Sequence, residues 1–435
     1  MKVAAALAFV FSPIAAWAQG PNGLDLEGVQ LDGQGVLSSK SSAPDPKLAE
    51  LRKKAIGKEK EGELCYISLP RLFAEARKLI DAGQPLPDNL RYLGGMVKLQ
   101  YIFVYPEEGD IVIAGPSEPF DSKASAYRPL GQTTGRPVLQ LDDLVSAMRA
   151  CGPGRSARRI GCDILITQEI ADRVNKKVEE VSGKLGAGSM KAQEAADAIA
   201  AAGDTQPVKT YGVDAETRFA MVCVEADYRL KQLGLDLFKT PVKAVKSYFS
   251  LLSRPEQHHR FSLESEYEAI VAAPDGNAFE LKGPSLKVNG GILRLSGTES
   301  GEASPAAKKY IDACNKHFAD LCGYLTSWAD LQNLGDLVVL AALAGKENLH
   351  TKARWDIAWL MDPKGYPVAK MSTPKSAKVV CATRNAGGMI LFTSGGVGLW
   401  PEQCMAKKVE DAEGTLKGKA RRPDGSLHIP TRPGK

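Results

Sequence analysis

Apolar and polar positions along the chain switch period several times, and the switches predict a mixture of helices and strands. Leu64-Cys65-Tyr66-Ile67 is a short apolar run that reads as a strand. Pro70 then opens a helix with Leu72, Ala76 and Leu79 on one face. A second short helix is expected after Pro87-Asp88. Leu99–Tyr105 and Ile111–Ala114 flank the turn residues Pro106-Glu107-Glu108-Gly109-Asp110, which predicts a hairpin. Asp142–Ala150 reads as helix and Ile160–Ile166 as strand. Thr167 caps a helix to about Lys184, and Ala192–Ala201 forms the next. Val208–Val213 and Arg218–Glu225 read as paired strands, and Asp227–Leu237 as helix.

Thr240-Pro241 has the form of an N-cap and first helical residue, with Val242, Val245, Phe249 and Leu252 on one face behind it. Pro274-Asp275-Gly276-Asn277 turns a hairpin between Tyr267–Ala273 and Ala278–Leu281. Ser304-Pro305 opens a long helix, and Ala329–Ala344 forms a second. Strands return at Trp355–Met361, Lys378–Ala382 and Met389–Thr393. The hairpin-type pairings favour an α+β fold with mixed and antiparallel sheets and packed helices over a doubly wound sheet. The expected layout is a signal peptide (1–18), a flexible leader (19–58), an α+β domain (59–238), a second α+β domain (239–404) with a helical hairpin over 304–345, and a disordered basic tail (405–435).

The N-terminus decides the compartment. Lys2 supplies a short positive region, Val3–Ala15 an apolar run, and Ala16-Trp17-Ala18 the small residues a signal peptidase needs, with cleavage expected between Ala18 and Gln19. The run is shorter than the roughly 20 residues that span a bilayer. Leu337–Leu343 is shorter still and reads as a buried helix segment, so no transmembrane span is expected. The product is expected to be exported, periplasmic or secreted.

Export in turn gives meaning to Cys65, Cys151, Cys162, Cys223, Cys314, Cys322, Cys381 and Cys404. An even count in an oxidising compartment favours disulfides. Cys151–Cys162 is the first expected pair, closing a loop worth about 3 kcal/mol in the chain-entropy model. Cys381–Cys404 is the second. Cys314 and Cys322 on one straight helix would lie about 12 Å apart along its axis, beyond the reach of a disulfide.

Formal charge is +5, and most of the surplus sits in the tail after Lys407. The body is close to neutral, which argues against a nucleic-acid groove. A protein or cell-envelope partner remains the class left open.

The ordered set of motifs resembles an exported bacterial family labelled domain of unknown function 1598. It runs through Leu90–Met96, Tyr101–Pro106, Gly109–Pro116, Gly135–Leu144, Ala226-Asp227-Tyr228-Arg229-Leu230-Lys231 and Ser394-Gly395-Gly396-Val397. The resemblance implies export and a shared fold. It implies no reaction, and it assigns no residue a role.

Candidate chemistry is sparse. Ser394-Gly395-Gly396-Val397-Gly398 follows a strand as a phosphate loop would, but Leu399-Trp400-Pro401 follows it where Lys-Ser/Thr and a helix are needed. The expected reading is a close backbone approach. Cys314, His317 and Cys322 make a thin metal-ligand set with no second cluster to complete it. Asp227, Arg229, His258 and His259 are the candidates for catalysis, against a plainer reading in which Asp227 and Arg229 form a structural ion pair. Asp142 or Asp143 is expected to cap a helix. No cofactor is implied. The sequence favours a non-catalytic binding or structural module. The alternative is a hydrolytic enzyme with a carboxylate or Cys/His site between the domains.

Overall fold

The computed structural model describes residues 24–26, 29–40, 50–51, 64–123, 125, 127–254, 256, 258–293, 300–384 and 389–420. The expected signal peptide and most of the expected leader lie outside these residues.

Two large sheets organise an α+β fold. The smaller is six-stranded. Its strands run in the order Lys408–Glu410, Ala269–Ala272, Ala278–Lys282, Tyr101–Tyr105, Asp110–Pro116 and Leu64–Ser68. Both expected hairpins are in it: Tyr101 pairs with Ala114, and Ala272 pairs with Phe279. Helix Leu69–Asp81 follows the edge strand, capped by Ser68 through the Arg71 N–H and buried on its Leu72, Phe73 and Ala76 face.

The larger sheet is eleven-stranded and mixed. Its middle runs Ser376–Lys378, Thr205–Tyr211, Ile160–Ile164, Val397–Leu399, His259–Glu266 and Ser285–Leu293. Strands from the first half of the sequence are flanked on both sides by strands from the second. Cys162 is opposite Val397, and Gln206 is opposite Ala377. The boundary expected between residues 238 and 239 therefore divides neither sheet, because both pair strands across it. The leader expected over 19–58 also contains sheet. Val29–Leu31 and Val36–Ser39 pair with each other and join the sheet through Ser376–Lys378, with Val29, Leu31 and Leu37 fully buried. Asp32, Gly33 and Gly35 form the turn between these two strands, where the Asp32 carboxylate accepts the Gln34 and Val36 N–H groups.

The centre of the molecule is one helix, Arg218–Gly234, with every residue buried. It packs against strands Ile160–Ile164, His259–Glu266 and Val397–Leu399, and against the buried helix Thr326–Lys346. The strand expected over Arg218–Glu225 is the first half of this helix. Burial on all sides removes the amphipathic period that distinguishes helix from strand, and Thr217 caps it by accepting the Ala220 N–H.

Three further expectations are corrected. Behind Thr240-Pro241 the chain stays irregular until a single turn, Tyr248–Leu251, capped by Ser247. Trp355–Met361 holds a helical turn at Ala358–Met361 in place of a strand. The long helix after Ser304 breaks at His317 into Pro305–Lys316 and Phe318–Tyr324. Order also continues past Cys404. Lys408–Glu410 adds a parallel strand to the six-stranded sheet, and Leu416 is buried beneath it with 1% exposure. Asp411 holds that corner by accepting the Thr415 and Leu416 N–H groups. Residues 421–435 lie outside the described residues.

Candidate functional site

The central helix presents chemistry on two of its faces. The first face carries Arg218 and Glu225 toward a buried ion-pair network. Arg128 spans Glu225 and Asp330 at 2.6 and 2.7 Å, and Arg218 spans Asp330 and Asp143. The Tyr127 hydroxyl donates to Glu225, and the Arg218 Nε–H donates to the Tyr127 carbonyl. Burial works to raise Asp330, but the two guanidinium groups outweigh it and hold the carboxyl below its usual range. Asp143 has only Arg218, and burial pushes it up to about 7. Its expected capping role is taken by neither neighbour. Gln140 occupies the cap position, while Asp142 accepts the Tyr366 hydroxyl and the Ala369 N–H.

The second face carries Asp227 and Lys231, one helical turn apart, beneath the loop Ser394-Gly395-Gly396. Their separation is 4.0 Å, at side-chain exposures of 0% and 2%. Neither carboxylate oxygen of Asp227 nor Nζ of Lys231 meets a hydrogen-bond partner among the described residues. Burial raises Asp227 to about 6, while the Lys231 and Arg260 charges and the dipole of the facing Gly396 N–H pull the other way. Burial likewise lowers Lys231.

The glycines are required by space. A β-carbon on Gly395 would overlap Asp227 Oδ1 and stand 2.9 Å from Cε of Lys231. One on Gly396 would overlap Arg260 Nη2 and Asp163 Oδ1. These last two belong to a chain of charges in which Asp163 is bound by Arg159 and Arg260, both at 2.7 Å. Arg159 also stacks over Tyr211 and Trp400. Burial opposes ionisation of Asp163, yet the two arginines hold its carboxyl below the usual range.

His258 completes this face. Its Nε2 lies 2.7 Å from Ser394 Oγ. Burial first, and then the Lys231 and His259 charges, push the imidazole down to about 4, so it is neutral at pH 7 and can accept the hydroxyl proton. A nucleophile and a base are thus adjacent. Ser394, however, is only 5% exposed.

Of the four residues expected to carry catalysis, the structure brings Asp227 and His258 to one cluster and sends the other two elsewhere. Arg229 cannot pair with Asp227, because residues two apart on a helix do not face each other. It bonds Gln232 at 2.7 Å and lies 4.1 Å from the centre of the Phe238 ring. His259, on the opposite side of the strand from His258, is fully buried. It accepts the Ser304 N–H at Nε2 and meets the Tyr248 hydroxyl at Nδ1, 2.9 Å away. Tyr248 and Ser304 both donate to Glu256. Sequence reading missed Ser394 as a hydroxyl, Lys231 and Arg260.

The metal-ligand set does not assemble. His317 sits at the helix break and pairs with Asp320 at 3.2 Å, while Cys314 and Cys322 are buried. Among the described residues no three His, Cys, Asp or Glu side chains converge as a metal site requires.

All eight cysteines are free and buried, so neither Cys151–Cys162 nor Cys381–Cys404 is joined. Cys151 turns toward the helix Thr326–Lys346, where its thiol meets the Val338 carbonyl, whereas Cys162 lies inside the sheet opposite Val397 and Thr210. Cys381 meets the Ala196 carbonyl, and Cys404 belongs to the main core.

Residues 162–248 match the family described as Protein of unknown function (DUF1598). That is the family the motif order points to. The matched segment runs from strand Ile160–Ile164 through the whole central helix and so contains Asp163, Asp227 and Lys231. Of the motifs that suggested it, Ala226–Lys231 lies inside, and the others lie outside. No curated protein and no solved structure matches the chain.

Proposed function

We propose that the protein is an exported, non-catalytic module with a binding or structural role. The observation that supports this reading is enclosure. The groups with reactive chemistry, Asp227, Lys231 and Ser394, are each at most 5% exposed, and Gly395 lies directly against Asp227 and Lys231. Two surface cavities, of about 420 and 480 Å3, are lined by other residues. The ion pairs around Asp330 and Asp163 are closed on themselves, which is the form of a scaffold that fixes the central helix. Export rests on the Met1–Ala18 pattern.

One observation favours a second reading. The 2.7 Å contact between Ser394 Oγ and a neutral His258 is the pairing a hydrolase uses to activate a hydroxyl. In that reading the loop must open for a substrate to enter.

A turnover panel of ester, amide, glycoside and phosphoester substrates decides between the two. The proposal expects no turnover above that of a Ser394→Ala variant. Turnover lost in both Ser394→Ala and His258→Gln establishes the hydrolase.

A further inference from the structure

From the cavity beyond the end of the central helix we infer that the protein binds a small organic phosphate carrying an aromatic or apolar body. The inference rests on the binding reading above and gives it a site and a ligand class. The cavity measures about 420 Å3 and is formed by Leu233 on the helix, by the irregular segment that follows it and by the capped turn Tyr248–Leu251. That volume lies in the range of small-molecule sites, which is about 300–1,000 Å3.

Its walls divide into two kinds. Phe238, Leu233 and Val245 supply an apolar part. The Phe238 ring is held in place by the Arg229 guanidinium, 4.1 Å from its centre, and by stacking on Tyr324 at 6.4 Å. Lys239, Lys243 and Lys246 supply the polar part. Lys239 is paired with Asp236 at 2.7 Å. Lys243 and Lys246 are exposed and form no ion pair among the described residues. Arg229 adds a fourth positive charge behind the ring, against the single carboxylate of Asp236. The hydroxyl-bearing Ser247 and Ser250 stand beside them.

Two lysines without carboxylate partners suit a doubly charged phosphate, for which ammonium groups serve as point charges. An aromatic ring beside them suits a ligand with an apolar portion, because buried apolar area supplies affinity that screened surface charge alone does not. A body near neutral overall makes this local excess a feature of the cavity rather than of the whole surface.

Phenyl phosphate is the minimal probe. Its binding to the purified protein is compared by calorimetry with that of phenol, benzoate and inorganic phosphate. The expected result is that phenyl phosphate binds at least tenfold tighter than each of the other three. Its affinity falls at least tenfold in Lys243→Ala/Lys246→Ala, is retained in Lys243→Arg/Lys246→Arg, and is unchanged in Lys308→Ala, which lies outside the cavity. Equal affinity for phenol and phenyl phosphate, or an unchanged affinity in the double alanine variant, overturns the site and leaves the non-catalytic reading standing. Release of phenol from phenyl phosphate overturns the non-catalytic reading instead, and binding lost in the double alanine variant still supports the site.

Discussion

Gly395 lies so close to Asp227 that a single methyl group on the glycine would overlap the carboxylate oxygen Oδ1. The contact joins a loop near the end of the chain to the middle of the central helix. Packing alone accounts for the glycines of Ser394-Gly395-Gly396. The backbone lies against buried side chains, and any larger residue would push them apart.

Gly395→Ala is therefore expected to destabilise the fold by about 1–3 kcal/mol, as overpacking of an enclosed site does. Gly418, whose β-carbon would meet nothing within 4 Å, is the control. Gly418→Ala should stay within about 0.5 kcal/mol of the parent. Urea denaturation of the two variants measures the difference.

Asp227 and His258 should pull the stability of the fold in opposite directions as pH changes. Asp227 is raised by burial from 3.8 to about 6. Its contribution is full below pH 3.8 and is lost as pH rises through about 6, a change of about 3 kcal/mol. His258 is lowered by burial from 6.5 to about 4. Its contribution is full above pH 6.5 and is lost as pH falls through about 4, again about 3 kcal/mol. The two nearly cancel in the parent. Relative to it, Asp227→Asn should gain stability as pH rises from 4 to 6, and His258→Gln should lose stability over the same range. Parallel pH profiles for all three proteins would refute this assignment.

Asp330 is bound by Arg128 and Arg218 in the core. Asp330→Asn leaves both cations short of a partner where water cannot reach them. The expected loss is about 3–5 kcal/mol, read from the denaturation midpoint.

The cysteines offer a check on the core. Burial pushes the Cys65, Cys151, Cys314, Cys322 and Cys381 thiols up to about 12, and Cys404 up to about 11. They should resist a thiol reagent at pH 8 in the native protein, because the thiolate is the reacting form. All eight should react once the chain is unfolded in denaturant. A deficit of two in denaturant without reductant indicates a disulfide.

Local pattern made some of this fold legible. Turns such as Pro274–Asn277 carry their own chemistry, so the hairpin they close could be read directly. The Ser304-Pro305 helix start was legible for the same reason, since Ser304 accepts the Ala307 N–H. The central helix was not legible in its first half. Arg218–Glu225 is buried on every side, and its charges are matched by Arg128, Asp143 and Asp330, which are distant in sequence. A polar residue that finds its partner only in the folded state gives no periodic signal. The site shows the same limit. Gly395-Gly396 could be read as a close approach, but Asp227 and Lys231 as the groups approached could not. The pairing of Ser394 with His258 depends on strand Thr393–Ser394 lying parallel to strand His259–Glu266, with Thr393 opposite His259.

The most direct test of the enclosed, non-catalytic reading is labelling of Ser394 by a fluorophosphonate, followed by peptide mass spectrometry of the native protein. Ser394 is expected to stay unmodified, because its hydroxyl is bonded to His258 and the residue is only 5% exposed. Stoichiometric labelling of Ser394 that disappears in His258→Gln would contradict it.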